Sequence, residues 1–136
     1  MANRTTIIVV LLAFGAFGVV FLDRTKPEPT GETMVEVVPI VVSEEIMAGK
    51  QTFDENCAVC HGDNAAGREG IAPPLIHKIY KPSHHADIAF KLAAQVAVRS
   101  HHWSFGDMPP VPSVNEDDMV SVIAYLRKLQ VANGIE

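Results

Sequence analysis

Residues 57–61 read Cys57-Ala58-Val59-Cys60-His61, two thiols with two residues between them and an imidazole directly after the second. Three chemistries use this pattern. The pair could cycle between dithiol and disulfide, which expects a βαβ context around it. It could supply part of a zinc site, which wants further cysteine or histidine at ligand spacing close by. Or each thiol could add across a vinyl group of a haem while the adjacent histidine reaches the iron. Cys57 and Cys60 are the chain's two cysteines, too few for a disulfide framework.

A second group of candidates lies in Ser100-His101-His102-Trp103-Ser104-Phe105-Gly106-Asp107-Met108-Pro109-Pro110. Met108 stands before two prolines, which push it away from helical conformations and stiffen its loop, so a thioether could be presented rigidly to a metal. Met34 falls in a tether, and Met47 and Met119 fall on helices, where methionine more often fills a core. His101 and His102 are the rival ligands, although their place near the end of a predicted helix favours an interaction with its negative pole. Trp103 could line a cofactor pocket or simply pack. With His77, His84 and His85 the histidines are numerous for so short a stretch and raise copper or zinc as a possibility. No spacing among them is diagnostic, and solvated or hydrogen-bonded histidines are the default.

These groups must be positioned by helices. Ser43, Glu44 and Glu45 read as a helix start, with the helix running to about Asn56. Ile46, Gly49, Phe53 and Cys57 share one face of it, and the glycine there suggests close approach by another element. A helix over 87–98 carries Ile88, Leu92 and Val96 in line. Asn115 caps a last helix with Glu116, Asp117 and Asp118 in its first turn and Arg127 and Lys128 in its last. That helix ends near Gly134, and Met119, Val122, Ile123, Leu126 and Leu129 form its stripe. The segment between the first two helices is rich in glycine and proline, and no strand pattern is evident. Three helices joined by long loops need something else at their centre. A covalent haem would supply it, and the helical context removes the thioredoxin-like alternative.

At the start, residues 7–22 (IIVVLLAFGAFGVVFL) hold no polar side chain, long enough for the lower end of a membrane-spanning helix and lacking a small-residue cleavage pattern. Residues 1–22 are therefore expected to be an uncleaved transmembrane anchor or signal. Residues 23–42, with three prolines and a glycine, are expected to be a linker. It is read as a tether that lets the head roam, with MVEVVPIVV lying on the domain or pairing as an edge strand as the alternative. Residues 43–136 form the functional domain. The formal charge is −5 and the pI about 5.6, which does not support nucleic-acid binding. From 43 to 136, eight basic residues oppose twelve acidic ones, a net −4, so partners need not be acidic.

Over about 43–132 the sequence resembles the class I c-type cytochromes. Beyond the CxxCH motif, Gly49 and Phe53, eight and four residues before the first cysteine, match the family's first helix. Tyr125 in VIAYLRKLQ matches the aromatic on its last. The resemblance implies an all-α class I cytochrome c fold around one covalent haem c, preceded here by the transmembrane helix. It implies Cys57 and Cys60 as the attachment points and His61 and Met108 as axial iron ligands. It implies that the carbonyl of Pro73 accepts the imidazole N–H, that Leu75 touches the haem, and that Trp103 lines the pocket or reaches a propionate. The expected function is a single-electron carrier, not an enzyme, working between respiratory partners such as a quinol-oxidising complex or a terminal oxidase, with the donor and the acceptor left open. The expected place is a bacterial inner membrane, single-pass, with the domain in the periplasm. A fixed subunit or assembly factor of an oxidase complex is the alternative, followed by a haem peroxidase or a copper-handling protein.

Overall fold

The computed structural model describes residues 28–136, and the transmembrane expectation for residues 1–22 lies outside them. Among the described residues no helix is long and apolar enough to cross a membrane. Among the described residues there are four α-helices: α1 (Glu44–Asn56), α2 (Ala58–His61), α3 (Asp87–Val96) and α4 (Glu116–Ala132). Two 3₁₀ turns, Asp63–Ala65 and Lys78–Tyr80, lie between α2 and α3. The described residues form isolated β-bridges but no strand, which agrees with an all-α architecture.

The α1–α4 crossing is the most extensive helix contact. A Cβ at position 49 would sit 2.0 Å from the carbonyl oxygen of Ser121, so only glycine lets the two backbones come this close. Phe53 and Tyr125, both fully buried, pack beside that crossing at 5.8 Å between ring centroids. Ile46, Met119, Val122, Leu126 and Leu129 complete the core here. Met47 does not join it: it is 53% exposed on the outer face of α1.

Helix α4 begins as expected, with Asn115 accepting from the Asp118 amide and Asp118 accepting from the Asn115 amide, a reciprocal capping box. Two expectations about helix ends change. Ser43 flanks α1, but its side chain makes no cap hydrogen bond. Because α4 continues to Ala132, Arg127 and Lys128 lie before its final turn. Arg127 instead spans to the preceding elements, donating to Asp87 Oδ1 (2.8 Å), Tyr80 O (2.8 Å) and His85 O (2.6 Å) over the Phe90 ring. Gln130, fully buried, donates to the carbonyls of Leu75 and Tyr80. Two polar side chains of α4 thus satisfy the backbone of the 75–85 segment.

Helix α3 stops at Val96, short of 98, and the Ile88, Leu92, Val96 row is not its buried face. Those residues are 58%, 47% and 68% exposed, while Ala94 is buried and Phe90 is packed against the core. The inner face is the Phe90–Ala94 pair, on the opposite side of the helix from that row. The helix ends in Ala97 at φ 77°, ψ 163°, a region sparsely used by any residue but glycine. His101 and His102 therefore sit in a loop beyond the helix terminus, not at its pole.

Residues 28–42 take the second of their two readings and lie on the domain. Gly31 N donates to Glu69 O, Glu69 N to Glu32 O, and Val35 N to Ala66 O. Asn133 brackets Val38 with two hydrogen bonds, and Val37, Ile40 and Val42 are partly buried against the core. Covering that apolar surface outweighs the freedom of a roaming chain.

Candidate functional site

Helix α2 is the CxxCH segment itself, opened by Cys57 as its flanking residue and closed by Gly62 at φ 74°. The chain then curls back: Gly67 N donates to His61 O (2.6 Å), and Leu75 N donates to Ala65 O (2.9 Å). Gly67, at φ 78°, makes the curl possible, because a Cβ there would lie 2.5 Å from Pro74 N. The close approach brings Pro73 over the haem-type histidine. His61 Nδ1 donates to Pro73 O across 2.8 Å. A carbonyl can only accept, so Nδ1 carries the hydrogen and Nε2 is the base nitrogen. Burial holds the His61 pKa below the usual histidine range, the Pro73 bond opposing it, so the imidazole stays neutral and able to bind a metal.

On the other side, Met108 and Val98 exchange both backbone hydrogen bonds, Val98 N to Met108 O at 3.0 Å and Met108 N to Val98 O at 2.9 Å. This pairing fixes Met108 at the neck of the 99–107 loop. Val111 N reaches Ala94 O (2.7 Å), tying the segment after the two prolines to α3.

His61 and Met108 line the same cavity of about 490 Å³, together with Cys57, Cys60, Pro73, Leu75 and Trp103. Every residue singled out from the sequence as a haem contact is on this wall. Volumes of about 300–1,000 Å³ are usual for cofactor sites. Much of the remaining lining is apolar, with Phe90, Leu92, Met119 and Leu126 among it. The indole nitrogen of Trp103 is buried with no hydrogen-bond partner among the described residues. The Tyr80 hydroxyl is near enough for the indole to oppose the rise that burial causes in its pKa, yet the pair makes no hydrogen bond of accepted geometry. An orphaned buried donor expects an acceptor from a bound group, and a carboxylate such as a haem propionate fits it. A neutral imidazole, a thioether, two thiols on one helical turn and an apolar slot suit a haem well.

The thiols themselves argue against dithiol chemistry. Burial first, and Cys60 second, push Cys57 up to about 11, the opposite of the depressed pKa that activates a redox cysteine.

Several lining residues were not singled out from the sequence as site residues. Tyr80, Phe90 and Phe105 all reach the cavity wall, with the Phe105 ring stacked 5.8 Å from Trp103. Tyr80 and Phe90 are held by Arg127 and Gln130 of the last helix, far along the chain, so no local pattern announced them.

Comparison with known proteins points the same way. Residues 46–130 match the family model described as Cytochrome c. The chain is 32% identical over 83 residues to the cbb3-type cytochrome c oxidase subunit CcoP of Azospirillum brasilense, covering 54% of this chain and 26% of that protein. It is 42% identical over 55 residues to the cbb3-type cytochrome c oxidase subunit FixPc of Rhizobium leguminosarum bv. viciae, covering 40% of this chain and 18% of that protein. This chain thus spans about a quarter or less of each relative's length. No solved structure matches it. With the family model covering more than half of its residues and the cavity built as described, the chain belongs to the cytochrome c family of haem electron-transfer proteins.

Proposed function

We propose that this protein is a membrane-anchored, mono-haem c-type cytochrome that passes single electrons between respiratory partners, with no catalytic site of its own. Cys57 and Cys60 would hold the haem as thioethers, His61 and Met108 would ligate its iron, and Pro73, Leu75 and Trp103 would support the group. One observation carries this reading: the oriented base of His61 and the thioether of Met108 line a single apolar cavity. His61 and Met108 would both be taken up in holding the iron, which disfavours the peroxidase alternative.

When bound, the haem supplies a reversible one-electron couple, and a histidine–methionine ligand pair sets it high. The chain's own residues do the rest. Pro73 O fixes the His61 ring and increases its basicity. Trp103 offers its N–H to a propionate. The apolar wall from α3 and α4 keeps water from the iron side, so little solvent reorganises when charge changes.

The apolar run at 7–22 supports the anchor, placing the domain on the outer side of a bacterial inner membrane. Similarity to two oxidase subunits supports a terminal oxidase as a partner. The same similarity favours a second reading, a fixed subunit of such an oxidase.

The test is spectroscopic. Denatured protein should retain haem stain on a gel. The ferric protein should show a methionine-to-iron charge-transfer band that Met108→Ala abolishes and His102→Ala spares; the reverse pattern overturns the ligand assignment. Stoichiometric co-purification with an oxidase in mild detergent selects the fixed-subunit reading, and exchange as a free monomer selects the carrier.

A further inference from the structure

Four imidazoles meet at the rim of the cavity. His84 and His85 come from the turn after the second 3₁₀ helix, and His101 and His102 from the loop ahead of Met108. His84 and His85 stack at 4.8 Å with 8° between planes, and His102 stands edge-on to both at 5.3 Å. His101 lies 4.3 Å from His102 and 6.1 Å from His85. One ring nitrogen from each of His84, His85 and His102 lies within 4.8 Å of the other two. Imidazoles bound to zinc at about 2.0–2.1 Å in a tetrahedral site hold their nitrogens about 3.3 Å apart. Closing the difference needs only small rotations, and His84 and His102 are exposed and able to make them.

Hydrogen bonds behind the rings set which nitrogens are bases. His85 Nδ1 donates to Ile79 O at 2.7 Å, leaving Nε2 as its base. His101 Nδ1 donates to Arg99 O at 2.8 Å, with the same result. His84 Nδ1 lies 3.1 Å from His85 Nδ1. An outer carbonyl behind the ring is how metal-binding histidines are oriented. The backbone beneath is braced as well: Lys81 O accepts from the amides of both His84 and His85, and Arg127 holds the His85 carbonyl. Lone pairs gathered in this way oppose one another unless a cation stands between them.

We propose that His84, His85 and His102 form a binding site for one divalent transition metal of the zinc and copper class, with His101 alongside as a fourth donor. Imidazole nitrogen is the donor such ions favour. The site is separate from the CxxCH segment but adjoins the cavity, whose wall includes His85, His101 and His102 as well as Met108. A bound dication there raises the midpoint potential of the haem, a consequence that rests on the haem reading above.

Full-chain, haem-loaded protein prepared without a histidine tag is titrated calorimetrically with Zn²⁺. One equivalent per chain is expected, and the double variant His84→Ala/His102→Ala should bind at least tenfold more weakly while its visible spectrum stays that of the parent. Electron paramagnetic resonance with Cu²⁺ should show imidazole nitrogen splittings that the double variant loses. Absence of stoichiometric zinc binding, or parental affinity in the double variant, overturns the site. Haem stain and the Met108→Ala spectrum report separately on the haem, so failure of one reading is distinguishable from failure of the other.

Discussion

The N–H of His61 Nδ1 points to the carbonyl of Pro73 at 2.8 Å, and what brings the two together is the absence of a side chain at Gly67. A methyl group at 67 would lie 2.5 Å from Pro74 N at a positive φ, forcing the 73–75 segment away from the histidine. Gly67→Ala should therefore destabilise the fold by about 2–3 kcal/mol. It should also raise the haem midpoint potential, since a histidine that loses its acceptor donates less charge to ferric iron. Urea titration reads the first and redox potentiometry the second. An unchanged potential in a variant that still carries haem would break the link between the Pro73 bond and the ligand.

The α1–α4 crossing gives a harsher case. Gly49→Ala places a Cβ 2.0 Å from Ser121 O, a backbone atom that cannot swing aside. The helices must separate, and about 3 kcal/mol or more of stability goes with them. Urea unfolding should show a large drop in midpoint. A loss under about 1 kcal/mol would mean that the crossing adjusts more easily than its geometry implies.

Tyr125 gives the fold an alkaline limit. Burial, and then the negative charge of Asp54, push its phenol up to about 12. A group whose folded pKa is raised contributes stability that is complete below its unfolded value, near 10, and disappears as pH rises through the folded value. Over that window wild-type stability should fall by up to about 3 kcal/mol from this residue alone. Tyr125→Phe should flatten the fall. At neutral pH it should cost only about 0.5–1 kcal/mol for the 3.4 Å contact with Asn64. Urea midpoints of both proteins across the alkaline range decide it, and parallel pH curves would refute it.

Ala97 stores strain next to the Met108 pairing. At φ 77° and ψ 163° an alanine costs about 1–3 kcal/mol, and glycine removes most of that while adding about 0.5–1 kcal/mol of chain entropy. Ala97→Gly should stabilise the protein by about 1 kcal/mol in thermal or urea unfolding. Destabilisation would show that the methyl group contributes packing that outweighs the strain.

How far the sequence carried can be seen residue by residue. The shared face of Gly49 and Phe53 was legible because spacing on a regular helix is a local property, whereas Tyr125 entered through the family resemblance; the structure packs its ring against Phe53 and sets Gly49 against the Ser121 backbone. The cavity wall at Cys57, Cys60, His61, Pro73, Leu75, Trp103 and Met108 was legible through a family motif, not through periodicity. Helix α3 misled because its large aliphatic residues lie toward the cavity and solvent, while the small Ala94 is the buried one. A cofactor-lined face defeats the rule that bulk points inward to protein. The packing of 28–42 was only one of two readings, since proline-rich sequence does not say what apolar surface awaits it. The histidines raised copper or zinc from their number alone, but which of them meet was not legible, because His84 and His85 are separated from His102 by the whole of α3 and only the fold closes that distance.

The two hydrogen bonds between Val98 and Met108 divide this region into parts that can change at different rates. Below the neck, Met108 is fixed by backbone bonds that any side chain at 98 can make. Above it, residues 99–107 form an excursion closed at its base by that pairing. Side chains on the excursion can thus change without disturbing the backbone that seats residue 108, so what the loop shows to the outside and where that residue stands are separately inheritable traits.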